Sequence, residues 1–136
     1  MIIVDTGAFV ALIDQQDDFH QQAQNAFSRI TEPLISTYPV ITEVCFLLNH
    51  PAKCKFLRAA SSGLFEVFHL QNQHINRIVE LIERYADLPM DLADASLVVL
   101  AEHLGHGRIL TIDRRDFSIC RWQNNKPFEN LMDSTK

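Results

Sequence analysis

Four acids in this sequence stand where an acid is costly. Asp5 ends the β-branched run Ile2-Ile3-Val4. Glu43 lies three residues after Val40 and four before Leu47, on or beside an apolar stripe. Asp94 precedes Val98 and Ala101 by four and seven residues, so it shares their face of a helix. Asp113 closes the run Arg108-Ile109-Leu110-Thr111-Ile112. A fifth acid, Asp91, sits one turn before Asp94 on the same side. A carboxylate on an apolar face is unfavourable without a cation or donors beside it. Several together make a hard-oxygen site for Mg²⁺ or Mn²⁺, which are held by carboxylates and water. Such ions serve phosphodiester cleavage by activating water and stabilising both the attacking and the leaving oxygen. Histidine and cysteine are not required.

Each residue also has a plainer reading. Asp5 can cap the helix that follows it. Asp113 can be a turn residue. Asp91 and Asp94 have the spacing of a capping box, and Asp94 near a helix start gains from the dipole. Glu43 can reach solvent from the edge of its stripe. Thr6 and Ser96 either bond the carboxylates or a metal-bound water, or only cap. Thr111, two residues before Asp113, points to the same side as Asp113. The six histidines do not cluster, and His103 and His106 read as surface residues. Lys53, Lys55 and Arg58 form a basic patch whose plainer reading is solvated surface. Arg114 and Arg115 directly follow Asp113 and are the cations best placed to contact a phosphate.

Short β-branched runs alternate with helical patterns. Strands are expected at 2–4, 33–36, 64–70 and 108–112, with a weaker one around 128–131. Helices are expected at 8–13, from Asp17-Asp18 to about Ile30, at 38–49 and from Pro51 to about Ser61. Two more are expected at 72–86, with Ile75, Ile78, Val79, Ile82, Tyr85 and Ala86 on one face, and after Pro89, ending at Leu104-Gly105. The unbroken apolar character of Ile2-Ile3-Val4 suits a central strand buried on both faces. Alternation of this kind implies an α/β fold with a parallel sheet and helices on both faces. In such sheets ligands gather at the carboxyl ends of the strands, where Asp5 and Asp113 stand.

The 136 residues fit one domain, 1–132, with a flexible tail at 133–136. The hydrophobic fraction of 47% supports a core without disulfides. The three cysteines are far apart and form no CxxC pair, and Cys45 is expected in the core. The net charge of −5 gives no global basic field, which argues against a tight non-specific nucleic-acid binder. The start Met1-Ile2-Ile3-Val4-Asp5 lacks the features of a signal peptide, and no apolar run reaches the roughly 18 residues of a membrane span. A cytoplasmic protein is expected.

The series Ile-Val-Asp5-Thr6, Ile-Thr-Glu43-Val, Asp91-Leu-Ala-Asp94-Ala and Leu-Thr-Ile-Asp113-Arg-Arg-Asp116-Phe117 resembles a PIN domain. It is most similar to the small VapC-type ribonuclease toxins of toxin–antitoxin modules, in order and spacing from Ile2 to Phe117. The resemblance implies a three-layer α/β/α sandwich with a central, mainly parallel sheet of four to five strands. It implies a Mg²⁺- or Mn²⁺-dependent endoribonuclease whose acidic site is Asp5, Glu43, Asp94 and Asp113. Asp5 and Asp94 would be the firmest metal ligands. Glu43 would bind a second metal or orient water, and Asp113 would complete the cluster. Asp91 is matched in only part of the family. Asp116 is either a fifth acid at the rim or the cap of a short helical turn. Homodimerisation and inhibition by a small antitoxin are implied as well. The competing readings are a PIN-fold interaction module acting through a protein partner, and a phosphoacceptor receiver domain. The latter needs an aspartate after the third strand, where Phe68-His69-Leu70 stands.

Overall fold

Ile2–Val4 (β1) carries no polar side chain and is buried throughout, so it can only lie inside a sheet. In the computed structural model it is the central strand. The structure describes residues 1–133, of which 114–116 and 133 are described by their backbone alone. The other strands are Leu34–Thr37 (β2), Glu66–Phe68 (β3), Arg108–Leu110 (β4), Arg121–Trp122 (β5), Lys126–Pro127 (β6) and Glu129–Asn130 (β7). Five of them form one sheet in the order β3-β2-β1-β4-β7, and every adjacent pair is parallel. The chain builds outward from β1 to β3 and then returns to place β4 on the other side of β1. This reversal opens a crevice at the carboxyl ends of β1 and β4.

The helices are Thr6–Ile13 (α1), His20–Arg29 (α2), Tyr38–Leu47 (α3), His50–Ser61 (α4), Ile75–Arg84 (α5), Leu92–Leu104 (α6) and Arg114–Ile119 (α7). They flank the sheet as an α/β/α sandwich. Helix α6 is buried along almost its whole length from Ala93 to Ala101, because it lies against β1 and β2 with α3 and α5 beside it. Gly105 ends it in the left-handed conformation, φ 79°, as a C-terminal glycine does. Around α1, Phe9 packs against Phe56 and Phe65 with ring centres 5.1 and 4.7 Å apart.

The structure shifts several expected elements. Helix α2 begins at His20 rather than at Asp17-Asp18. Asp17 instead makes a turn, its Oδ1 accepting from Phe19 N–H at 2.9 Å. Helix α5 buries Ile78 and Leu81, while Ile75, Val79 and Ile82 stay partly exposed. Only one edge of the expected apolar face meets α6. The β4 ladder ends at Leu110, and Thr111 and Ile112 run on beyond it. Cys45 is half-buried rather than fully in the core. The antiparallel hairpin β5–β6 was not expected. Its turn takes Gln123 and Asn124 to φ 50° and 64°, and Arg77 and Glu102 hold it against α5 and α6. Of the expected tail, Asp133 ends a 3-10 turn at Leu131–Asp133, and 134–136 lie outside the described residues.

Candidate metal centre

The last polar residues of the central strands turn their side chains toward one another. Asp5 follows β1 directly and is 5% exposed. It caps α1, with Oδ1 accepting from Thr6 N–H at 2.7 Å. Its Oδ2 accepts from the Thr111 hydroxyl at 2.9 Å. That hydroxyl also accepts from Asp113 N–H at 3.0 Å, so one buried threonine spans two acids. Capping and site membership are therefore not alternatives for Asp5, since its two oxygens divide the work. Glu43 reaches in from α3, and its Oε1 accepts from the Thr6 hydroxyl at 2.8 Å.

Helix α6 brings the other pair. Asp91 is the N-cap and Asp94 the third residue, and they form the capping box. Asp91 Oδ1 accepts from Asp94 N–H at 2.9 Å, and Asp94 Oδ2 accepts from Asp91 N–H at 3.4 Å. Asp5, Glu43, Asp91, Asp94 and Asp113 together line one cleft of about 370 Å³, with Thr6, Gly7, Pro89 and Ile112 completing its wall.

Crowding shows in the protonation of the acids. Burial pushes Asp5 up to about 6, against the pull of the Thr6 N–H and the Thr111 hydroxyl and with help from the charges of Asp113 and Asp91. Burial also raises Glu43 to about 7, and its hydrogen bond to Asp91 works in the same direction. Burial opposes the charge on Asp91 too, but the bonds from Glu43 and from the Asp94 and Ala93 backbone hold that carboxyl below its ordinary value. The hydrogen bond between Glu43 and Asp91 thus raises the one carboxyl and lowers the other. A divalent cation in the cleft would remove this frustration by favouring every charged form at once.

Among the described residues, no three His, Cys, Asp or Glu side chains are already closed around one ion position. The donor set suits an ion that keeps much of its water. Mg²⁺ is usually held by one or two carboxylates and several waters. Asp5, Glu43, Asp91, Asp94 and Asp113 are the side chains that could hold such an ion, directly or through its waters.

Not every expected residue reaches the cleft. Ser96 does not. It is fully buried, and its hydroxyl bonds the Ala93 carbonyl and Thr37 Oγ1, each at 2.7 Å. Two residues beyond Asp94 on a helix, it faces the last residue of β2 and not the cleft. The side chains of Arg114, Arg115 and Asp116 lie outside the described residues; their backbone forms the first turn of α7, straight after Asp113. Asp91, expected mainly as a cap, is a full member of the cleft. Asn130 was not anticipated, yet its side-chain amide bonds both the N–H and the carbonyl of Thr111. An isolated asparagine in a weak strand carries no local signal of such a role. Beside the cleft, Tyr38, Phe46 and Leu47 of α3 and Leu92 of α6 are large apolar side chains exposed to solvent, Phe46 to 87%.

Comparison with known proteins agrees with this geometry. The family model described as PIN domain matches residues 2–121. Ribonuclease VapC26 of Mycobacterium tuberculosis is 28% identical over 124 residues, spanning 88% of this chain and 92% of that protein. The crystal structure of Mycobacterium tuberculosis VapC20, described as a Sarcin-Ricin loop cleaving toxin, superposes with a TM-score of 0.79 at 20% identity. It covers 85% of this chain and 92% of that one.

Proposed function

Because the chain belongs to the PIN-domain family, we propose that it is a divalent-metal-dependent endoribonuclease, the toxin of a toxin–antitoxin pair. The observation that carries this reading is the cleft itself. Five carboxylates from two strand ends and two helices line it, and burial and mutual repulsion hold Asp5 and Glu43 above the ordinary carboxylate range. Such crowding is costly to the fold and is explained by a cation that relieves it. The relative named as a ribonuclease supports RNA as the substrate.

Asp5 and Asp94 are the residues assigned to hold Mg²⁺ or Mn²⁺, with Asp113 and Asp91 at the margin. When bound there, a divalent ion would supply positive charge for the phosphate under attack and for the leaving oxygen. Glu43, fixed by the Thr6 hydroxyl, orients the attacking water. Thr111 keeps Asp5 and Asp113 in register. Arg114 and Arg115, next to Asp113 in sequence, are assigned to the phosphates of the RNA. Residues 1–132 make up the nuclease domain. No helix among the described residues is long and apolar enough to cross a membrane, and the cytoplasm is the assigned location. The exposed apolar side chains of α3 and Leu92 offer the surface for a second copy of the chain and for the antitoxin.

The test is cleavage of total RNA by the purified protein in Mg²⁺ or Mn²⁺. Cleavage is expected to stop with EDTA and to fall at least about a hundredfold in Asp5→Asn and Asp94→Asn, beyond the range seen for outer-shell losses. Cutting that survives either substitution overturns the reading. A protein that neither cuts nor binds a divalent ion would instead be an interaction module, which has no use for crowded carboxylates.

A further inference from the structure

The ladder between β4 and β7 ends at the pair Ile109 and Asn130. Past that point β7 bends into the 3-10 turn Leu131–Asp133, while the chain of β4 runs on past Leu110 to Thr111. Thr111 is 1% exposed, and buried main-chain N–H and C=O groups need partners. The Asn130 side chain serves both. Its Oδ1 accepts from Thr111 N–H at 3.3 Å, and its Nδ2 donates to the Thr111 carbonyl at 3.0 Å. The same Oδ1 accepts from Met132 N–H at 3.0 Å, which ties the carboxamide to the turn behind it. One side chain thus stands in for the strand residue that β7 lacks, and it holds the main chain one residue beyond the end of β4.

That extra residue is the one that spans the acids. The Thr111 hydroxyl donates to Asp5 Oδ2 and accepts from Asp113 N–H, at 2.9 and 3.0 Å. Donating one way and accepting the other fixes its hydrogen, so the place of the Thr111 backbone sets the place of the Asp5 oxygen. We infer that Asn130 is a positioning residue for the metal centre: by gripping the Thr111 main chain it holds the hydroxyl between Asp5 and Asp113 and thereby sets the affinity of the cleft for its cation. Asn130 lies beyond residues 2–121, the stretch that matches the family. The support therefore comes from the chain's own C-terminal segment. This inference rests on the assignment of Asp5 as a metal ligand.

The experiment is titration of the full chain with Mn²⁺, read by the EPR signal of free Mn²⁺, alongside thermal unfolding in EDTA. Asn130→Ala is expected to weaken Mn²⁺ binding about tenfold or more, as outer-shell losses do. Thr111→Val should weaken it at least as much. In the double variant, Asn130→Ala should add less than about a twofold further loss, because its route runs through Thr111. A fall in melting temperature with unchanged Mn²⁺ affinity would make Asn130 a fold residue only and overturn the inference. So would full additivity with Thr111→Val. If Asn130→Ala does not fold, Asn130→Asp decides. Its added charge alone would tighten a cation, whereas loss of the bond to the Thr111 carbonyl should weaken it. Weaker binding supports the inference, and equal or tighter binding overturns it. Failure of the wild-type chain to bind Mn²⁺ at all would overturn the metal assignment together with this inference; wild-type binding with indifferent Asn130 variants overturns this inference alone.

Discussion

At one end of the sheet Glu32 sits between two cations; at the other end Asp5 and Glu43 sit among acids. Glu32, just before β2, accepts from both terminal nitrogens of Arg108 and from the Met1 amine at 3.3 Å. These bonds hold its carboxyl down at about 2. Asp5 and Glu43 are pushed the opposite way, to about 6 and about 7. Strands β1 and β4 supply groups to both ends: Met1 precedes β1 and Arg108 opens β4, while Asp5 and Thr111 follow them. The same two strands thus make a closed ion pair at their start and an unresolved cluster of charge at their finish. Whether an acid is part of the scaffold or part of a site is decided by its nearest few side chains. The net charge of the chain, −5, says nothing about it.

The contrast can be broken most forcefully at Asp5. Asp5→Asn should abolish metal binding and cleavage while stabilising the metal-free protein. With a native value near 6 against 3.8, the buried charge at pH 7 costs on the order of 3 kcal/mol. Urea unfolding in EDTA checks the sign, and a less stable variant would contradict it. A pH series sharpens the same point. The folded state holds the Asp5 proton longer than the unfolded one, so stability without metal should fall as pH rises from about 4 to about 6. Saturating Mn²⁺ should cancel that decline, and Asp5→Asn should reduce it to the share that Glu43 contributes between about 4.5 and about 7.

A middle-sized effect is expected at Thr6. Thr6→Val removes the donor to Glu43 Oε1 and should lower cleavage about tenfold, mainly in kcat, with little change in RNA affinity. Single-turnover and binding assays separate the two. The smallest effect belongs to the other end of the sheet. Glu32→Gln should leave cleavage and Mn²⁺ affinity untouched and lower the melting temperature slightly near pH 7, as exposed ion pairs contribute little. The sign with pH is opposite to that of Asp5. A carboxyl lowered in the folded state contributes stability above about 4.5 that is lost as pH falls toward 2, so the melting difference should shrink over that window.

The four central acids were legible because each broke a local rule: two closed apolar strands and two sat on or beside apolar helical faces. The parallel sheet was legible for a related reason, since Ile2-Ile3-Val4 and Arg108-Ile109-Leu110 leave little choice of environment. What stayed hidden depends on partners distant in sequence. Ser96 was expected near the carboxylates on spacing alone, but Thr37 of β2 claims its hydroxyl. Asp91 reads as a cap from its helix, and its place in the cleft depends on Glu43, 48 positions away. The hairpin β5–β6 has strands of two residues, too short for any period to register. Asn130 acts on a main chain 19 residues before it, which no pattern of side chains announces.

The bond from Thr111 to Asp5 joins residues 106 positions apart, across strands that are neighbours in space. That distance orders events in time. A ribosome that has made β1, β2, β3 and α6 has delivered Asp5, Glu43, Asp91 and Asp94, yet β4, which flanks β1 on its other side, has not arrived. Contacts of such long range close late and slowly, and domains fold only as their last elements emerge. A growing chain therefore cannot complete this cleft until Thr111 and Asp113 have been translated. The delay before the cleft is complete is built into strand order.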